Sequence, residues 1–75
     1  MASLSADIGK RIEARRERLG LTQAQLAAAA GLHQSQVSRF ERGDRNPSIK
    51  QAAAIAQALR CSVASLLPTV PTRAA

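Results

Sequence analysis

The chain has 75 residues, enough for one small domain, and carries one Cys, one Phe and neither Trp nor Tyr. At that length a second, separate sensing or catalytic domain is not expected, and a lone cysteine excludes a disulfide framework within the chain. Eleven basic residues, nine of them Arg, face five acids for a net charge of +6, and no acid follows Asp44, the balance of a protein that meets a polyanion: nucleic acid, a membrane surface or an acidic protein.

Alanine supplies 16 of the residues and favours helix while filling little core. Five helices are predicted, and no strand pattern appears. The first runs from about Ala6 to Arg18, with Ser5 as its N-cap and Asp7 in its first turn. Ile8, Ile12 and Leu19 give it a core-facing row, and Gly20 stops it. The second follows Thr22, where Thr22-Gln23-Ala24-Gln25 spells a capping box, and closes at Gly31. The third spans about Gln34 to Arg42 and ends at Gly43, with Val37 and Phe40 on its buried side. Gly43 to Pro47 is a loop by composition. A second capping box, Ser48-Ile49-Lys50-Gln51, opens the fourth helix, which runs to about Leu59. There Ile55 and Leu59 point inward, and Ala52 and Ala56 allow close approach. The fifth is short, from about Val63 to Leu67, capped by Ser62 and ended by Pro68. Residues 1–68 read as one domain and 69–75 as a loose tail.

Two short helices joined by a tight turn at Gly31 make a helix-turn-helix. Leu26, Ala30, Leu32, Val37 and Phe40 are spaced to share one core, with Ala27 and Ala28 small enough for the helices to pack closely. About 100° per residue then turns Ser35, Ser38, Arg39 and Arg42 outward, with Gln34 at the leading end and Glu41 toward the inside. A Gln/Ser/Arg face has the donors and acceptors that base edges in the major groove require, and the N-terminal end of such a helix enters the groove.

The chain resembles the Cro/XRE family of helix-turn-helix DNA-binding proteins, which includes many phage repressors. The resemblance runs from Ile8-Gly9-Lys10-Arg11-Ile12 through Gly20-Leu21-Thr22-Gln23, Leu26-Ala27, Ala30-Gly31-Leu32, Val37-Ser38-Arg39 and Glu41-Arg42-Gly43. It continues in Arg45-Asn46-Pro47-Ser48, Ile55-Ala56 and Leu59. It implies a compact all-α, five-helix, lambda-repressor-like DNA-binding domain. It also implies roles. Gln23 meets a phosphate and braces Gln34; Gln34 and Ser35 read bases; His33 touches a base or phosphate. Gln36 and Ser38 are flanking readers, Arg39 reaches a guanine or a phosphate, and Arg42 and Asn46 hold the backbone. Phosphate contacts position such a protein, and base contacts specify the sequence. Arg16 and Glu41 are expected to form a partly buried structural ion pair. One departure stands at His33, where the family favours Ser, Thr or Asp, so the third helix starts with a weaker cap.

The expected function is a sequence-specific transcriptional regulator, a repressor or controller that acts on its own gene. It binds double-stranded DNA at an inverted repeat as a homodimer joined through Val63, Leu66 and Leu67, with Val70 beside them, although one of Leu66 and Leu67 is expected to close the chain's own core instead. The alternative is the antitoxin of a toxin–antitoxin pair, with a toxin protein as partner; RNA polymerase is a further candidate partner. No enzyme activity, cofactor or small-molecule effector is expected. His33 and Cys61 are the only His and Cys, too few strong ligands for a metal site. No apolar run nears the roughly 20 residues of a membrane span, and Met1 to Arg11 do not make a signal peptide. A cytoplasmic protein of a bacterium or phage, working at the nucleoid, is the expected setting.

Overall fold

The computed structural model describes residues 4–67. They form five helices, α1 (Leu4–Arg18), α2 (Gln23–Ala30), α3 (Gln34–Arg42), α4 (Ile49–Ala58) and α5 (Val63–Leu66), and no strand occurs among them. The expected tail, with Val70 and Pro68, lies outside the described residues.

Side chains set most of the helix starts. Thr22 Oγ1 accepts the Gln25 N–H at 3.0 Å while Gln25 Oε1 accepts the Thr22 N–H at 2.9 Å. Ser48 and Gln51 repeat this at 3.1 and 2.9 Å, and Ser62 Oγ accepts the Ser65 N–H. Each such cap satisfies a backbone donor that the first helical turn leaves unpaired and is worth about 1 kcal/mol. At α3 the imidazole of His33 makes no cap hydrogen bond; Gln36 Oε1 accepts the His33 N–H at 2.9 Å. α1 differs from expectation. Its helical ladder already includes Leu4, which puts Ser5 inside the helix and removes it from the N-cap.

The turn between α2 and α3 depends on Gly31, which adopts φ 70° and ψ 31°. A side chain would strain that left-handed conformation. It lets Leu32 N–H reach back to Ala27 O at 2.8 Å, so the chain leaves α2 and enters α3 after three intervening residues.

α1 packs on α3, α2 on α3 and α4, and α5 closes the base against α4 and α1. Ile8 and Ile12 of α1, Leu26 and Ala27 of α2, Val37 and Phe40 of α3, Ile55, Ala56 and Leu59 of the α4 region, and Leu66 of α5 are buried together. Gly9 allows the closest approach. A methyl group there would come within 2.7 Å of Glu41 O and closer still to Phe40 O, so the backbone of α1 rests directly on the end of α3.

Three expectations about this core are corrected. Leu19 is 40% exposed. It follows the last residue of α1 in a tight turn, so the helical row from Ile8 and Ile12 no longer applies to it, and the position four residues after Ile12 is taken by Arg16. Ala28 faces solvent, whereas Ala27 is buried in the shared core. Leu66, expected in an interface between copies, is 2% exposed and belongs to the chain's own core, because α5 lies flat across α4 and α1 and turns this residue inward.

Candidate nucleic-acid interface

One acid and two polar partners tie the helix-turn-helix to α1. Glu41 points inward near the end of α3, with a side chain only 3% exposed. Arg16 Nε donates to Glu41 Oε2 at 2.6 Å and Arg16 Nη2 to Oε1 at 3.1 Å, a two-pronged contact. Gln23 Nε2 donates to the same Oε1 at 2.9 Å, and Arg16 Nη1 donates to Leu21 O at 2.8 Å. One carboxylate thus holds α1, the start of α2 and the end of α3 in register. The hydrogen bond to Glu41 raises the Arg16 pKa above its ordinary value against the opposing effect of burial. A buried charge needs such pairing, since an unpaired one is expensive to keep from water.

Turning Glu41 inward leaves the outer face of α3 without an acid of its own. His33, Gln34, Ser35, Arg39 and Arg42 are exposed, and Gln36 and Ser38 are partly so. Arg42 is already held. Its Nε donates to Asp44 Oδ2 at 3.0 Å and its Nη1 to Ser38 Oγ at 2.7 Å, which leaves Nη2 open to an acceptor outside the chain. Arg39 is without an acidic partner among the described residues. Asn46 is exposed in the loop beyond α3. A polar groove of about 190 Å³ runs beside α3 between Gln36, Arg39, Arg45 and Gln51.

The predicted residues therefore divide into two groups. His33 to Arg42 lie along one exposed helix, with Asn46 just beyond it. Gln23 is elsewhere: its amide is spent on Glu41, not on Gln34. The sequence reading gave no role to Arg45, whose signals were its charge and its place in the Arg45-Asn46-Pro47-Ser48 stretch after α3. It also missed Ile49, 89% exposed, which was read only as part of a capping box. Ile49 edges an apolar groove of about 150 Å³ with Pro47, Val63 and Leu67; Leu67 is 44% exposed and Val63 half-buried. Among the described residues no cluster of acids, His and Cys is fit to hold a metal ion, and no helix is long and apolar enough to cross a membrane.

Comparison with known proteins gives concordant results. A family model described as Helix-turn-helix matches residues 12–66. The HTH-type transcriptional regulator DicA of Escherichia coli is 40% identical over 62 residues, covering 83% of this chain and 46% of that protein. The restriction–modification controller protein C.AhdI of Aeromonas hydrophila superposes with a TM-score of 0.82 at 35% identity, over 84% of this chain and 96% of that one. The P22 c2 repressor, solved in complex with a synthetic operator, superposes with a TM-score of 0.77 at 37% identity, over 80% of this chain and 91% of that one. The chain spans less than half the length of the curated relatives it matches.

Proposed function

The chain belongs to the Cro/C1-type helix-turn-helix family, and on that premise we propose that it is a sequence-specific, double-stranded-DNA-binding transcriptional regulator of repressor or controller type. The observation that carries this reading is the exposed face of α3, freed of negative charge because its one acid, Glu41, is buried against Arg16 and Gln23. Gln34 and Ser35 stand at the end of α3 that enters a major groove, and Arg39 follows one turn later. Gln34 suits adenine, Arg39 guanine, and Ser35 either. Arg42, Arg45 and Asn46 track the phosphates beyond them. His33, Gln36 and Ser38 flank the reading edge, and the backbone at Gln23 offers its N–H at the positive end of α2.

Two copies bind an inverted repeat, with recognition helices about 34 Å apart. Ile49 and Leu67, with Val63 and Pro47, form the face that joins them. Burying two Ile49 and two half-exposed Leu67 side chains contributes on the order of 5–9 kcal/mol. Association itself costs roughly 4 kcal/mol or more, so the free dimer is weak and the duplex that carries both half-sites completes it. Binding to its own upstream region then makes regulation a function of concentration.

The test is fluorescence anisotropy with a duplex from upstream of the chain's own gene, at two salt concentrations, with excess random duplex. Tight binding that survives the competitor, with a steep salt slope, is the expected result. Binding that the random duplex abolishes would refute sequence-specific recognition of that region.

A further inference from the structure

A second positive surface lies on α1, away from α3. Arg11, Arg15 and Arg18 are spaced i, i+4, i+7 and so share one face of the helix. They line a groove of about 250 Å³ between α1 and the α5 region, with Ala14, Cys61 and Ser65 along it. Arg15 is fixed in place. Its Nε donates to Leu59 O and its Nη2 to Arg60 O, both at 3.1 Å, where the end of α4 leaves carbonyls without helical partners. None of the three arginines has an acidic partner among the described residues.

The neighbouring acids limit what fits. Asp7 lies one turn before Arg11 on the same face, whereas Glu13 and Glu17 lie on the far side of α1. The positive stripe therefore extends only about 10 Å, from Arg11 to Arg18. A long uniform polyanion would run past Arg11 onto the Asp7 carboxylate. A short segment with a few acids and an apolar residue between them would not, and Ala14 offers that residue a nonpolar seat. A duplex held by α3 leaves this groove open, because α1 turns its Ile8, Ile12 and Arg16 side toward α3 and the arginine stripe away from it.

We propose that the Arg11–Arg15–Arg18 groove is a docking site for an acidic helical segment of a protein partner, used while α3 holds DNA. Carboxylates spaced over two turns of the partner helix meet the guanidiniums. Arg15, already anchored by two carbonyls, gives the contact its fixed point. The site is independent of which duplex α3 reads.

The probe is a fluorescein-labelled peptide with glutamates at i, i+4 and i+7 of a helix and a leucine between them, titrated with the full chain. Arg11→Ala and Arg18→Ala are each expected to weaken peptide binding about threefold, the scale of one exposed ion pair. Arg39→Ala and Arg45→Ala, which remove the same charge from the other face, are expected to leave it unchanged. A random DNA duplex is expected to bind alongside the peptide without displacing it. Equal losses in all four variants would overturn the proposal, since the peptide would then sense only the net charge. Displacement by the duplex would overturn it as well, by making the groove part of a nucleic-acid surface.

Discussion

Glu41→Ala is expected to cost more stability than any other single polar deletion in the described chain. The substitution removes a carboxylate that is 3% exposed and accepts three hydrogen bonds. It leaves the Arg16 guanidinium, 12% exposed, with Leu21 O as its remaining partner. Breaking a buried pair from one side costs about 3–5 kcal/mol, because the surviving charge stays buried. A chain of this size has roughly 4–11 kcal/mol of stability in total, so the variant approaches the unfolding threshold. About 3 kcal/mol lowers the melting temperature by about 12–24 °C for a domain of this length. Urea unfolding followed by far-UV circular dichroism is the suitable assay, since the chain has neither Trp nor Tyr to report by fluorescence. The double variant Arg16→Met/Glu41→Leu is expected to recover most of the loss. Asp44→Asn is the internal contrast. Its pair with Arg42 is more than half exposed on both sides and is worth under about 1 kcal/mol. A Glu41→Ala loss no larger than that of Asp44→Asn would refute the assignment of the buried carboxylate as the tie between α1, α2 and α3.

Other outcomes follow from the same structure. Gly9→Ala raises helix propensity by about 1 kcal/mol but drives a methyl group into the carbonyls of Phe40 and Glu41; a net loss on the order of 1–3 kcal/mol is expected in the same unfolding assay. Thr22→Ala removes the cap of α2 and is expected to cost about 1 kcal/mol, whereas Thr22→Ser is expected to be near neutral. Ile49→Lys is expected to leave stability unchanged, because the side chain is 89% exposed. If the proposed dimer joins through this face, a concentration-dependent rise in mass is expected for the unmodified chain in sedimentation equilibrium and none for Ile49→Lys. The Arg16 guanidinium, with its pKa raised in the fold, contributes its full stabilisation below the ordinary arginine pKa and loses it only as the pH rises through the higher folded value. Stability between pH 7 and about 10 is therefore expected to be flat as far as Arg16 is concerned.

The helices were legible because their ends carry strong local chemistry. Thr22 with Gln25, Ser48 with Gln51, Gly31 and Gly43 each mark a boundary by a hydrogen bond or a left-handed backbone that few other residues supply. Where a boundary had no such marker, as at Ser5, the prediction slipped by two residues. The inward turn of Glu41 followed from the position of Val37 and Phe40 on a helix of nine residues. Its second partner did not, because the reach of Gln23 across the turn depends on how α2 meets α3 in space. Leu66 and Leu67 are adjacent and chemically identical, and only the lie of α5 decides that one is buried and the other is not. Ile49 was hidden by its place inside a capping box, which accounts for the backbone at that position but not for a large apolar side chain left in water.

The most direct test of the central claim compares Gln34→Ala and Arg42→Ala on a duplex that the unmodified chain prefers over random DNA. If the exposed face of α3 reads bases, Gln34→Ala reduces the ratio of specific to random binding by about 1–3 kcal/mol, while Arg42→Ala weakens both duplexes alike and lowers the salt slope by about one. An unchanged ratio in the Gln34 variant, with binding intact, would contradict the assignment of α3 as the recognition helix.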